Sequence, residues 1–155
     1  MNLKKILKEK GYQIIKLKTL PSGHHLIKAK INGKKGKFIL DTGASNTFID
    51  TNKAEKFGTK LKTIEHKATG AGTGEIDLQT TKKVHLEIGD WYLKNVKLVA
   101  IDMEHINLAL EMFEVEVDGI IGADVLQSGK GIIQYHKDLL FLLPMKKKKK
   151  YAKRK

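Results

Sequence analysis

Cysteine is absent from the 155 residues. Disulfides, thiolate zinc sites and a cysteine nucleophile are thereby excluded, although compartment is left open. Proline occurs twice, tryptophan once, and aromatics make up only 6% of the chain, so the core must be built mainly from Ile, Leu and Val. Long apolar runs are missing too: none approaches the ~18 residues of a membrane span. Residues 1–20 open with Lys4 and Lys5, but Lys8, Glu9, Lys10, Lys16 and Lys18 interrupt any stretch that could act as a secretory signal. Cytoplasm is the expected compartment. A chain of this length suits one domain with a core that needs no disulfide.

Acids are in deficit overall, giving a net charge of +13, and the deficit is local. Residues 1–20 hold six Lys against one Glu, and residues 146–155 hold seven Lys and one Arg with no acid. Residues 21–145 carry 16 bases and 16 acids and are neutral. The chain therefore divides into a basic N-terminal segment (1–20), a balanced domain (21–145) and a Lys-rich tail (146–155). A tail of like charges is expected to be disordered. It can make weak, non-specific contact with anionic surfaces, but a balanced domain argues against a specific nucleic-acid partner.

The periodicity is mostly that of strands. Leu3, Ile6, Leu7 and Lys10 have helical spacing, which suits a short basic helix ending at Gly11; it would either pack on its own domain or touch an acidic membrane surface. Tyr12–Leu20 alternates as an edge strand. His25–Ile31 and Gly36–Leu40 form a hairpin about Asn32-Gly33, the strongest short turn signal. Phe48 and Ile49 begin another strand, and Thr51–Phe57 reads as a helix capped by Thr51 or Asn52 and stopped at Gly58. Gly70, Ala71, Gly72, Thr73 and Gly74 resemble a phosphate loop in composition. Such loops open a helix, whereas this one leads into the alternating Ile76-Asp77-Leu78-Gln79, so a hairpin tip is expected. Strands are expected at Lys83–Ile88 and Trp91–Ile101, loose helix over Asp102–Phe113, and strand from Val115 to Ile121. A helix over Ala123–Gln127 and a hairpin across His136-Lys137-Asp138 complete the domain. Short strands at regular intervals predict an all-β fold: a small closed barrel with one or two short helices.

One stretch carries chemistry. Phe38-Ile39-Leu40 runs as a buried strand into Asp41-Thr42-Gly43-Ala44-Ser45. Asp-Thr-Gly is also an ordinary turn, and such a triplet arises by chance in about 5% of chains this long. Its weight comes from the strand before it and from a second motif, Ile120-Ile121-Gly122-Ala123-Asp124, far downstream.

Together these motifs resemble those of the retropepsin-like aspartic proteases, especially single-domain bacterial members, over residues 24–143. The resemblance implies the retropepsin type of barrel and an aspartic endopeptidase that needs no cofactor. Peptide hydrolysis by carboxyl groups needs one to take a proton from water and another to give one to the carbonyl oxygen. Two adjacent carboxyls sharing one proton do both. This chain has one Asp-Thr-Gly, so a homodimer would bring Asp41 from each copy to a two-fold axis. Thr42 would bond across the interface, and Gly43 would let backbone N–H groups reach the carboxylates. Ile120, Ile121 and Gly122 would pack behind the turn, with Asp124 structural. Ser45 and the Gly70–Gly74 hairpin, in the place of the family's flap, would meet a peptide or protein substrate. Pockets would depend on positions such as Ile49, Ile76 and Leu78. Retroviral members usually carry an Asp–Arg ion pair at the positions of Ser45 and Ala123; both partners are replaced here, so no unpaired charge remains.

Other chemistries find less support. The six histidines are dispersed, with no i,i+4 pair and no His-Glu-x-x-His, so no metal is expected. Ser45 lacks the Gly-x-Ser-x-Gly elbow of a nucleophile. The competing readings are a catalytically silent peptide-binding module on the same fold, and an adaptor that works through its basic tail.

Overall fold

The computed structural model describes residues 2–69 and 75–145, the side chains of 65–69 and 75–77 aside. Helix α1 (Leu3–Glu9) starts at Asn2, whose side chain accepts from the Lys5 N–H at 3.1 Å. Gly11, at φ +91°, turns the chain after it, as the spacing predicted. The following segment is broken into β1 (Gln13–Lys16) and β2 (Lys18–Thr19) because the Leu17 N–H bonds to the Asp138 carbonyl instead. β1 therefore joins one sheet and β2 another.

β3 (His25–Ile31) and β4 (Lys34–Leu40) form the expected hairpin, with Asn32 and Gly33 both at positive φ. One face of it is core throughout: Ile27, Ala29, Ile31, Phe38 and Leu40 are all buried. β5 (Phe48–Asp50) follows the Asp41 turn. The helix expected over 51–57 shrinks to a 3-10 turn, Thr51–Lys53, capped by the Asp50 carboxylate rather than by Thr51 or Asn52. β6 (Leu61–Thr69) and β7 (Glu75–Thr81) are antiparallel, and Thr69 faces Glu75 across the hairpin; Gly70–Gly74 lie outside the described residues.

β8 (Val84–Ile88) and β9 (Trp91–Val96) turn at Gly89, φ +58°. The single strand expected to Ile101 ends at Val96, one residue after Asn95 enters the left-handed region. β10 (Val99–Ile101) resumes beyond Leu98, whose N–H is taken by Thr81 Oγ1. Then come α2 (Glu104–Leu110), β11 (Gly119–Ile121), α3 (Ala123–Ser128), β12 (Ile132–Gln134) and β13 (Leu139–Leu142). Val115 and Val117 fall outside β11, since the Asn107 side chain pairs with both backbone groups of Val117.

The main sheet runs β6-β7-β10-β5-β11-β4-β3-β8-β9, with β2 on β3; β1-β13-β12 is a separate sheet. The class is all-β, as expected, but the barrel is not closed and the α-helices number three among the described residues. β6 and β9 end the path without pairing to each other. The small sheet packs across the opening instead, placing Ile15, Leu140 and Leu142 in one core with Ile27, Phe38 and Ile49. α1 covers its outer side through Leu7 against Leu139 and Phe141. No helix among the described residues is long and apolar enough to cross a membrane.

Candidate active site

The two sequence motifs meet because their strands are parallel neighbours. β4 and β11 pair Ile39 with Ile120 and Leu40 with Ile121, so both chains leave the sheet at the same end. The Asp41 N–H continues the ladder by donating to the Ile121 carbonyl at 3.0 Å. The turn then crosses over β11 to begin β5 on its other side, where Phe48 faces Ile120.

That crossing explains the glycine of the downstream motif. A Cβ on Gly122 would lie 2.5 Å from the Asn46 carbonyl oxygen and 2.6 Å from that of Ala44. Both obstacles are backbone, so only a residue without a side chain fits. Gly119, at the start of β11, is equally constrained: its Cβ would run into the Phe48 carbonyl oxygen.

Asp41, Thr42 and Gly43 are exposed at the tip, on the open end of a rigid pair of strands. Asp41 Oδ1 accepts from the Gly43 N–H at 2.9 Å, and the Asp41 carbonyl accepts from the Ala44 N–H at 3.2 Å. Asp41 Oδ2 and the Thr42 hydroxyl have no hydrogen-bond partner among the described residues of this chain. Ser45 is exposed beside them, 3.5 Å from Asn46 Nδ2.

Below the tip the loop is tied by a residue that sequence reasoning passed over. Thr47 is 1% exposed. Its Oγ1 accepts from the Gly122 N–H at 3.0 Å and donates to Asp124 Oδ1 at 2.7 Å, while its N–H donates to Asp124 Oδ2 at 3.0 Å. Asp124 Oδ1 also takes the Val125 N–H at 2.8 Å. Asp124 is thus a structural latch between the two motifs. The clue in the sequence was a third hydroxyl residue, Thr47, ending the run of small residues after Asp41.

Ile120 and Ile121 are buried behind the turn, Ile120 in an apolar cluster with Ile39, Leu26 and α2. Ile49, expected to help line a substrate pocket, is fully buried in the main core and cannot touch a ligand. Leu78 is half-buried; the side chain of Ile76 lies outside the described residues. Among the described residues no three metal-ligating side chains converge.

The arrangement is an exposed carboxylate at the end of two paired strands, with one donor, the Gly43 N–H, from its own turn. Residues 27–125 match the family model for aspartyl proteases. The chain is similar to a retropepsin-like aspartic protease from Rickettsia conorii, at 27% identity over 85% of this chain and 89% of that one, with a TM-score of 0.54. It shares its fold with the retroviral protease-like domain of Ddi1 from Leishmania major: 17% identity, 81% of this chain, 96% of that one, TM-score 0.51. No curated protein sequence matches it.

Proposed function

Because this chain belongs to the aspartyl protease family and has its retropepsin-like fold, we propose that it is an aspartic endopeptidase completed by a second copy of itself. The observation that carries this reading is the Asp41 carboxylate: exposed, supported from below, with one oxygen and the neighbouring Thr42 hydroxyl unpartnered among the described residues. A two-fold axis beside Asp41 would bring two such carboxylates together. One proton shared between them leaves one carboxyl to accept a proton from water and the other to protonate the scissile carbonyl oxygen. The water adds to the carbonyl carbon, and the tetrahedral adduct collapses as the amine departs with a proton from the dyad.

In this reading Thr42 bonds across the interface and Gly43 supplies the N–H that orients the carboxylate. Ile120, Ile121, Gly122 and Asp124 hold the turn. Ser45 and residues 70–74 meet an extended peptide. The unit is cytoplasmic, with residues 21–145 as its catalytic domain and 1–20 and 146–155 as basic appendages. No cofactor or metal takes part.

The test incubates wild type and Asp41→Asn with a mixed library of unstructured peptides from acid to neutral pH and reads cleavage by mass spectrometry. Cleavage by wild type alone supports the peptidase. No cleavage by either, where sedimentation shows a dimer, points to the peptide-binding module.

A further inference from the structure

The neutrality of residues 21–145 conceals a local row of like charges. The face of the β3–β4 hairpin opposite the main core has two halves. Near Asp41 it is apolar, with Leu26 and Ile39 buried beneath α2. Toward the Asn32-Gly33 turn it carries only lysines: Lys28 stands directly opposite Lys37, and Lys30 opposite Lys35. All four are exposed, and none of their side chains makes a hydrogen bond or ion pair among the described residues, although the Lys37 N–H donates to Asp118 Oδ2 at 2.9 Å. Like charges facing each other across a sheet destabilise it. Acids do line the same cleft: Glu116 and Asp118 are paired with Lys53 and Lys56, which leaves Glu87 and Asp90 on the far side against the four lysines.

The four lysines lie in a cleft of about 700 Å³. Lys53 and Lys56 stand on one wall, already engaged by Glu116 and Asp118. The β8–β9 turn forms the other wall. Across the sheet the row Lys35, Lys30 continues to Glu87 and then to Tyr92. Tyr92 is 45% exposed; its ring lies 5.6 Å from the His85 ring and has Lys94 Nζ 5.5 Å from its centroid.

We propose that this lysine face is a binding surface for single-stranded nucleic acid, read without sequence preference and separate from the Asp41 site. Lysine rows about 7 Å apart along the strands, and about 5 Å apart across them, present cations at intervals suited to a chain bearing one charge per unit. An acidic peptide fits less well. β3 and β4 are interior strands whose backbones are already paired, so no free edge is offered for strand addition. Nor does an apolar side chain longer than alanine line the cleft to receive a peptide's own. A phosphate chain needs only the cations, and the Tyr92–His85 pair at the end of the row gives a base an aromatic neighbour. Lys37 lies on β4 and Asp41 four residues on, just past the strand's end, about 13 Å along the extended chain, so the bound strand stays clear of the carboxylate.

The test measures fluorescence anisotropy of a short labelled oligothymidylate with the full chain, over a range of salt. Four phosphate contacts to a single strand contribute about 3 to the slope of log affinity against log salt. The variant K28Q/K30Q/K35Q/K37Q should lose that increment. Raising salt from about 50 to about 200 mM then weakens wild type about 50-fold more than the variant. Glu87→Gln removes the acid from the row and should tighten binding, a gain that misfolding cannot produce. Asp41→Asn should bind as wild type does, which separates this surface from the peptidase. Equal slopes for wild type and the quadruple variant would assign all binding to the terminal lysines and overturn the proposal. So would displacement of the probe by poly-glutamate at lower charge concentration than by unlabelled oligothymidylate, which would make the partner an acidic protein.

Discussion

Thr47→Val tests the architecture of the Asp41 turn most sharply. Valine keeps the shape of threonine and removes only the hydroxyl, at a position 1% exposed. Two bonds go with it: the 3.0 Å bond from the Gly122 N–H and the 2.7 Å bond to Asp124 Oδ1. The Gly122 N–H is left without an acceptor where no side chain can replace it. An unsatisfied buried donor costs about 1–3 kcal/mol, and a hydrogen bond to a charged group contributes about 1.5–3 kcal/mol. Asp124 softens the second loss, because the Val125 N–H and the Thr47 N–H still reach its oxygens. A net loss of about 3 kcal/mol follows, which for a domain of this size lowers Tm by about 6–12 °C. Urea unfolding of wild type, Thr47→Val and Thr47→Ser would measure it. Serine keeps the hydroxyl and should cost about 1 kcal/mol, the value of a lost buried methyl. A valine variant within 1 kcal/mol of wild type would refute the role given to Thr47.

The other predictions concern the crossing, the ends of the chain and pH. Gly119→Ala and Gly122→Ala each force a methyl onto backbone carbonyls and should cost about 3 kcal/mol or more, read as loss of a cooperative thermal transition. Leu7→Ala empties the seat of α1 on Leu139 and Phe141 and should cost about 2–3 kcal/mol in denaturant titrations. Lys53 is held above its ordinary value of 10.5, chiefly by its hydrogen bond to Glu116; burial opposes this, and the charges of Glu116, Asp118 and Asp50 reinforce it. A raised folded value means its stabilisation is complete below about pH 10.5 and is lost as pH rises through the folded value. The stability gap between wild type and Lys53→Gln should therefore be constant near neutrality and close in strong alkali.

Local signals in the sequence pointed to the elements that local chemistry decides. Asn32-Gly33 specified a turn needing two positive φ angles, and Gly11, also at positive φ, marked the end of α1. Phe38-Ile39-Leu40 and Ile120-Ile121 read as buried strands, and their pairing brings both motifs to one end of the sheet. What escaped notice depends on contacts between distant residues. The Leu17 N–H is claimed by Asp138, and the Leu98 N–H by Thr81, so two apparent strands are broken by partners far along the chain. Thr47 looked like any loop hydroxyl until Asp124, 77 residues away, was seen to hold it. Ile49 had the pattern of a pocket residue but faces the core. Charge misled in the same way, since neutrality over residues 21–145 says nothing about which face each charge takes.

The central claim is that two copies of Asp41 share one site, and subunit mixing tests it most directly. A fixed amount of active wild type would be titrated with Asp41→Asn, with cleavage of one identified peptide followed throughout. Asp41 is exposed, and asparagine can still accept the Gly43 N–H, so the variant should fold and pair normally, with stability within about 0.5 kcal/mol of wild type. The account predicts that cleavage falls as mixed dimers replace wild-type ones, because each mixed dimer has a single carboxyl and nothing to share its proton. Cleavage that holds steady while sedimentation shows mixed dimers forming would contradict it, and would place all the catalytic groups within one chain.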